Sequence, residues 1–367
     1  MAQALFGERL KYLRDQSGMS QDELADLLNL ESRQIVSNIE NSVRKMSGTE
    51  LVACTEIFDV GLDFFTNPYL LVGQGSFSWR QAGIEIEELR DFETLSGEWL
   101  GAYRSLRDKL GIKPKALLAE VRLTKKSSYE DAVEMGEAVA AELQLGDIPA
   151  YNLVSAAEEK LDAVVLMADA QEGISGAACR LPEMNAIIIN RNEPMSRRSF
   201  DLAHEIFHIL TWEAMPPEYL DGTDQRKSRI EQLADKFASG LLLPGSVLER
   251  YLERLQPDAE DFVDSVNQIA TELMVSSVAL LWRLVDLGVL GRDQCKEFTE
   301  TDWFAFNGGL LDDSRPALLS KKYLSVISDA VQKGLISERK VSTLLRLSFE
   351  ELQELFVAHE LESPLGL

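Results

Sequence analysis

The 367-residue chain sets 37 Lys and Arg against 61 Asp and Glu, a formal charge of −24, which argues against generic coating of nucleic acid. Hydrophobic residues at 45% and charged residues at 27% supply cores for two or three domains, and no apolar run approaches the ~18–20 residues of a membrane helix. Three widely separated cysteines, Cys54, Cys179 and Cys295, argue against a disulfide framework or a cysteine zinc cluster. With no secretory signal at the charged N-terminus, the expected location is the reducing cytoplasm, with no membrane partner.

The first sixty-odd residues read as short helices. Leu5, Phe6, Leu10 and Leu13 recur at helical spacing, and Gly18 is a natural C-cap for that helix. Ser20 with Glu23 three residues later is a capping box, and Leu24, Leu27 and Leu28 are the expected inner face of the helix it opens. A third helix is predicted from Ser32, burying Val36 and Ile39, and a fourth over 48–58. Residues 67–83, with proline, glycine and serine, read as a linker, and 85–145 as charged amphipathic helix. Ala163–Met167 and Ala186–Asn190 are β-branched strand candidates, with Gly173 and Gly176 suggesting a hairpin-like connection between them. Helices return from Ser199, and 307–316 marks a second break. The tail, 317–362, is again helical and reads as a packing or oligomer element without chemistry. The expected class is α+β and mostly helical. Its parts are an N-terminal bundle of short helices (1–66), which a resemblance given below makes a helix-turn-helix bundle, a linker and helical region (67–145), a central domain with a small sheet (146–306) and a C-terminal helical region (307–367).

Two of the three histidines in the chain fall four residues apart, in His204-Glu205-Ile206-Phe207-His208. On a helix, positions i and i+4 share a face, about 5–6 Å apart at Cβ, so two imidazoles there can converge on one ion. Glu205, beside the first histidine, is long enough to reach a water on that ion, which is how a metallopeptidase places its general base. Packed core histidines are the bland alternative. The helix is apolar on nearly every side, however, and a buried glutamate between two histidines is costly unless a cation compensates it. A catalytic zinc keeps three protein ligands. With no third histidine nearby, the candidates are Glu213, Glu218, Asp221, Asp224, Glu231 and Asp235. The apolar stripe Leu233, Phe237, Leu241 favours Glu231 as third ligand and Asp235, one turn on, as a carboxylate orienting His204 or His208.

The segments RRSFDLAHEIFH and EQLADKFASGLLLP, with IATELMVSSVALLWRLVDLGVL downstream, resemble the ImmA/IrrE zinc metallopeptidases over roughly 150–290. The resemblance implies a minimal zincin with zinc on His204, His208 and Glu231, Glu205 activating water, and helix-turn-helix repressors as protein substrates, cleaved to derepress stress or mobile-element genes. The edge of Ala186–Asn190 is the expected place for an extended substrate to add as a strand, Tyr219 is an unselected oxyanion candidate, and Cys179 reads as a small core residue. Residues 6–64, through Leu13-Arg14, Gly18–Ala25 and Ser37–Glu40, resemble XRE/Cro-like helix-turn-helix domains. That resemblance implies double-stranded DNA as a partner, with Gln21 near phosphate and Ser32, Arg33, Gln34, Ser37 and Asn38 near bases. Against it, residues 1–70 hold six basic and eleven acidic side chains, a net of −5, leaving a helical docking or dimer module as the other reading. The alternative for the whole chain is a DNA-binding regulator or antitoxin whose peptidase-like domain senses metal or ligand without hydrolysis. A purely structural zinc site is a third reading.

Overall fold

The computed structural model describes residues 2–72, 76–81, 86–114, 121–181, 183–216, 228–301 and 315–364. Contacts divide the chain into two units, one of residues 1–75 with 93–106 and one of residues 76–92 with 107–367.

The first unit begins with α1 (Ala2–Gln16), α2 (Gln21–Leu27), α3 (Arg33–Glu40), α4 (Gly48–Phe58) and α5 (Leu62–Thr66). Gly18 closes the turn after α1 with φ +65°, the left-handed conformation a glycine adopts without strain. The Ser20 hydroxyl accepts from the Glu23 amide at 3.2 Å, and the Ser20 amide donates to Glu23 Oε2 at 2.8 Å, completing the capping box read from the sequence. Leu10, Leu24, Ala25, Leu28, Val36, Ile39, Cys54 and Phe65 form the core. Leu27 does not join it and is 51% exposed. The buried face of α2 is centred on Leu24, Ala25 and Leu28, a rotation towards Ala25 that leaves Leu27 outside. Arg9 is buried, and its guanidinium donates to the carbonyls of Phe64, Asn67 and Leu70 at 2.6, 2.7 and 2.9 Å, tying the first helix to the chain after α5.

The second unit is built on a four-stranded mixed sheet of β1 (Ser76–Gln81), β2 (Ala163–Ala168), β3 (Ile174–Leu181) and β4 (Met184–Asn190), in the order β1-β3-β4-β2. β2 runs parallel to β4, and β3 is antiparallel to both neighbours. Two of these strands depart from the sequence reading. The stretch with Gly173 and Gly176 is itself mostly strand β3, and the linker contributes β1. Ala186–Asn190 is not an edge, because β4 pairs with β3 on one side and β2 on the other.

Most of α6 (Ile86–Lys109) belongs to the first unit, while α7 (Tyr129–Glu142), α8 (Pro149–Lys160), α9 (Met195–Thr211) and α10 (Arg229–Leu242) follow in the second, interleaved with the strands. A main core of the unit gathers Ala178, Ile187 and Ile189 of the sheet with Leu202, Ile206 and Phe207 of α9 and Leu233, Phe237 and Leu241 of α10. α7 and α10 cross at two glycines. A Cβ at Gly136 would lie 2.2 Å from the Phe237 carbonyl oxygen, and one at Gly240 would lie 2.2 Å from that of Val133, so only glycine permits backbones this close. The buried Arg283 side chain donates to the Leu243 carbonyl at 2.9 Å and pairs with Glu137 of α7, fixing the far end of α10. The helical tail, Lys321–Gln332, Glu338–Leu345 and Phe349–Ala358, joins this unit at β2. Leu319 and Met167 exchange backbone bonds, and the Lys322 ammonium reaches the Glu158 carbonyl at 2.7 Å and Asp162 at 3.2 Å. Among the described residues no single helix is long and apolar enough to cross a membrane.

Candidate metal centre

α9 carries His204, Glu205 and His208 on successive turns, all at most 2% exposed. α10 brings Glu231 in its first turn. Ser228 caps that helix by accepting from the Glu231 amide at 3.3 Å, so Glu231 stands at N3, where a carboxylate is favoured by the helix dipole. At N3 a glutamate commonly turns back to the N-cap amide; here it reaches the imidazoles instead. Its Oε2 lies 3.1 Å from His204 Nε2 and its Oε1 3.3 Å from His208 Nε2. The two Nε2 atoms are 3.1 Å apart. On the far side of the first ring, His204 Nδ1 meets Asp235 Oδ1 at 3.0 Å.

This arrangement fits a cation. A carboxylate at Nδ1 favours the tautomer with the proton there, which leaves a lone pair on Nε2. That lone pair then faces a carboxylate oxygen and a second imidazole nitrogen within hydrogen-bond distance. Without a cation between them the imidazoles would have to donate to Glu231, and hydrogen bonds and charge from His204 and His208 then outweigh burial and hold its carboxyl below the usual carboxylate range. One donor atom from each of His204, His208 and Glu231 falls within 4.8 Å of the others. Tetrahedral ligands at zinc–nitrogen and zinc–oxygen lengths of ~2.0–2.2 Å stand roughly 3.3–3.5 Å apart, close to the separations seen here. Nitrogen and carboxylate donors in threes are the set a catalytic zinc takes.

Glu205 lies under β3. A Cβ on Gly176 would sit 2.9 Å from the Ile188 carbonyl oxygen, which only glycine avoids, and 3.8 Å from Glu205 Cγ, ordinary contact, so the strand packs directly over the glutamate side chain. Of the other acidic residues considered for the metal, Glu213 pairs with Arg180 at 2.8 Å and its side chain is 84% exposed. Glu218, Asp221 and Asp224, and with them Tyr219, lie outside the described residues. Cys179 is buried in β3, one position out of phase with Gly176 and Ala178 and so on the sheet face away from α9. Sequence reasoning placed Gly176 in a connection rather than in the strand over Glu205, and it missed Ser228. The second was signalled by its position three residues before Glu231.

Residues 158–285 match the model of the Peptidase_M78 family, described as the IrrE N-terminal-like domain, and residues 10–65 match the helix-turn-helix model. The chain joins a helix-turn-helix domain to an IrrE N-terminal-like domain. A search of curated proteins found no match. Among solved structures, the chain aligns with PrgX in complex with iCF10 at 12% identity and TM-score 0.16, covering 98% of each chain. It aligns with the apo competence regulator ComR from Streptococcus vestibularis at 10% identity and TM-score 0.17, over 91% of this chain and 99% of that one. Bacillus thuringiensis PlcR in complex with the peptide PapR7 and DNA gives 13% identity and TM-score 0.17, over 98% and 96%. Likenesses at such TM-scores carry no weight for fold or function.

In the helix-turn-helix domain, α3 places Ser32, Arg33 and Gln34 at the surface, with Ser37 and Asn38 half-buried behind them. The Gln34 amide donates to Asn38 Oδ1 at 3.1 Å, the Ser37 hydroxyl accepts from Asn41 at 3.3 Å, and Arg33 stands 3.9 Å from Asp22. Gln21 donates to Glu40 at 2.7 Å, and Arg14 bonds the same carboxylate at 2.6 Å. Arg44 forms a two-bond pair with Glu50 at 2.8 and 3.1 Å. With Arg9 on carbonyls and Arg33 near Asp22, four of the six basic side chains of residues 1–70 have partners inside the domain.

Proposed function

We propose that this chain is a zinc-dependent endopeptidase whose substrate is a protein carrying a helix-turn-helix, a repressor by the family's implication. The observation that carries the reading is the convergence of His204, His208 and Glu231 beside a buried Glu205. Zinc bound by those three side chains would supply Lewis acidity, lowering the pKa of water and polarising the scissile carbonyl. The protein supplies the rest. Asp235 holds the His204 ring and its tautomer, the N-terminus of α10 steadies the Glu231 charge, and Glu205 takes the proton of the attacking water and passes it to the leaving amine. Exclusion of bulk water around α9 strengthens each of these interactions.

The helix-turn-helix domain brings the peptidase to its target in this reading, either by pairing with a related domain or by reaching the same DNA through Arg33, Gln34 and Asn38. The net negative charge and the internal use of Arg9, Arg14 and Arg44 support a weak DNA contact with few phosphates neutralised. The place of action is the cytoplasm, the compartment that suits dispersed cysteines without disulfides. Incubating the zinc-loaded protein and its Glu205→Gln variant with candidate repressors is the test. Cleavage by the parent and loss of at least a hundredfold in rate in the variant support the reading; equal cleavage by both overturns it.

A further inference from the structure

An extended polypeptide that pairs with this sheet and still offers a carbonyl to the centre needs the edge of the strand that passes over Glu205. That strand is β3, through Gly176. Its inner neighbour, β4, is paired on both sides, and the outer edge of β2 carries the Leu319 bridge, two strands away from β3. The other side of β3 is the remaining position, and the chain itself fills it. β1 runs antiparallel there with Ser78 opposite Ala178, Trp79 opposite Ala177 and Arg80 opposite Gly176. Adjacent strands lie ~4.8 Å apart, so the β1 backbone passes one strand spacing from the residue above Glu205.

We propose that Ser76–Gln81 is a built-in competitor strand, occupying from within the chain the position on β3 that an extended protein substrate takes, so that substrate engages only when this segment leaves. The proposal rests on the peptidase reading for its consequence but on the sheet for its geometry. β1 is held on by modest forces. Phe77 and Trp79 stack at 5.3 Å, Trp79 packs on Phe92 at 5.6 Å, and the cluster is completed by Leu89, Ala170 and Ile174. The strand has six residues, pairs on one side and shifts register between Arg80 and Gln81. Short, bulged edge strands open at lower free energy than the core. In sequence, β1 follows α5 of the helix-turn-helix domain.

The experiment is binding of a fluorescein-labelled synthetic hexapeptide of the Ser76–Gln81 sequence to the full-length, zinc-loaded protein, read by anisotropy. Two variants release β1. Phe77→Pro with Ser78→Pro removes a ladder bond whichever of the two amides faces β3, since alternate residues of an antiparallel pair point inward. Trp79→Ala leaves the ladder and weakens the anchor, and carries the test if the proline variant fails to fold by circular dichroism. At least tenfold tighter peptide binding than in the parent is expected. Affinity unchanged from the parent in a folded variant overturns the proposal, as does equally tight binding by the parent, which would place the peptide on the outside of β1. A folded variant that binds peptide on release of β1 but, loaded with zinc, cleaves no candidate repressor refutes the peptidase reading alone.

Discussion

Replacing Gly240 by alanine tests whether the close crossing of α7 and α10 sets the metal centre. A methyl there would lie 2.2 Å from the Val133 carbonyl oxygen and 2.9 Å from its carbon. These are rigid backbone atoms, so relief requires the two helices to separate by about 1 Å, and overpacking of this kind costs about 1–3 kcal/mol. Glu231 and Asp235 ride on the same helix as Gly240. A shift of about 1 Å exceeds the ~0.2 Å tolerance of zinc bonds several-fold, so the substitution is expected to lower zinc affinity at least tenfold as well as stability by about 2 kcal/mol. Gly48 is the control, because a Cβ there meets nothing within 4 Å and alanine should be neutral or stabilise by up to about 1 kcal/mol. Urea unfolding followed by circular dichroism, with zinc competition against a chromophoric chelator, reads both quantities. A Gly240→Ala protein with the parent's midpoint and zinc affinity would refute the link between crossing and centre.

Three further outcomes are expected. Asp235→Ala removes the 3.0 Å partner of His204 Nδ1 and should weaken zinc binding by about 10–100-fold with little change in fold, as measured by the same competition. Arg9→Met leaves three buried-side carbonyls, now bonded at 2.6–2.9 Å, without a donor and should cost roughly 2–4 kcal/mol in thermal unfolding of the first unit. Burial, with Glu50 adding, pushes the Cys54 thiol up to about 12. The folded state therefore keeps a proton that the unfolded state loses above pH ~9, so stability falls as pH rises between those values. A thiol reagent at pH 9 should modify Cys54 only on unfolding, and Cys54→Ala should lose that slope.

The convergence of His204, His208 and Glu231 was legible because its signal is local. Two histidines at i and i+4 with a glutamate between them mark the candidate site, and the stripe through Leu233, Phe237 and Leu241 orients the next helix so that Glu231 and Asp235 face the histidines. The sheet was half legible. β2 and β4 are runs of valine, isoleucine and leucine, but β3 holds Ser175, Gly176, Ala177 and Ala178, residues with weak strand preference that are small because helix α9 and its neighbouring strand press close. β1 was hidden because pairing over a hundred residues of sequence, Ser76 with Arg180, makes a strand out of a segment whose local composition reads as linker. Leu27 shows the same limit on a smaller scale. Spacing at i, i+3 and i+4 defines a face, but the position of α3 decides where on that face the core is centred.

The metal content of the full-length protein, loaded with zinc and freed of excess, tests the account most directly. The structure predicts about one zinc per chain in the parent and in Glu205→Gln, and almost none in His204→Ala or Glu231→Ala. Zinc retained at full occupancy without His204, or absent from the parent, would contradict it.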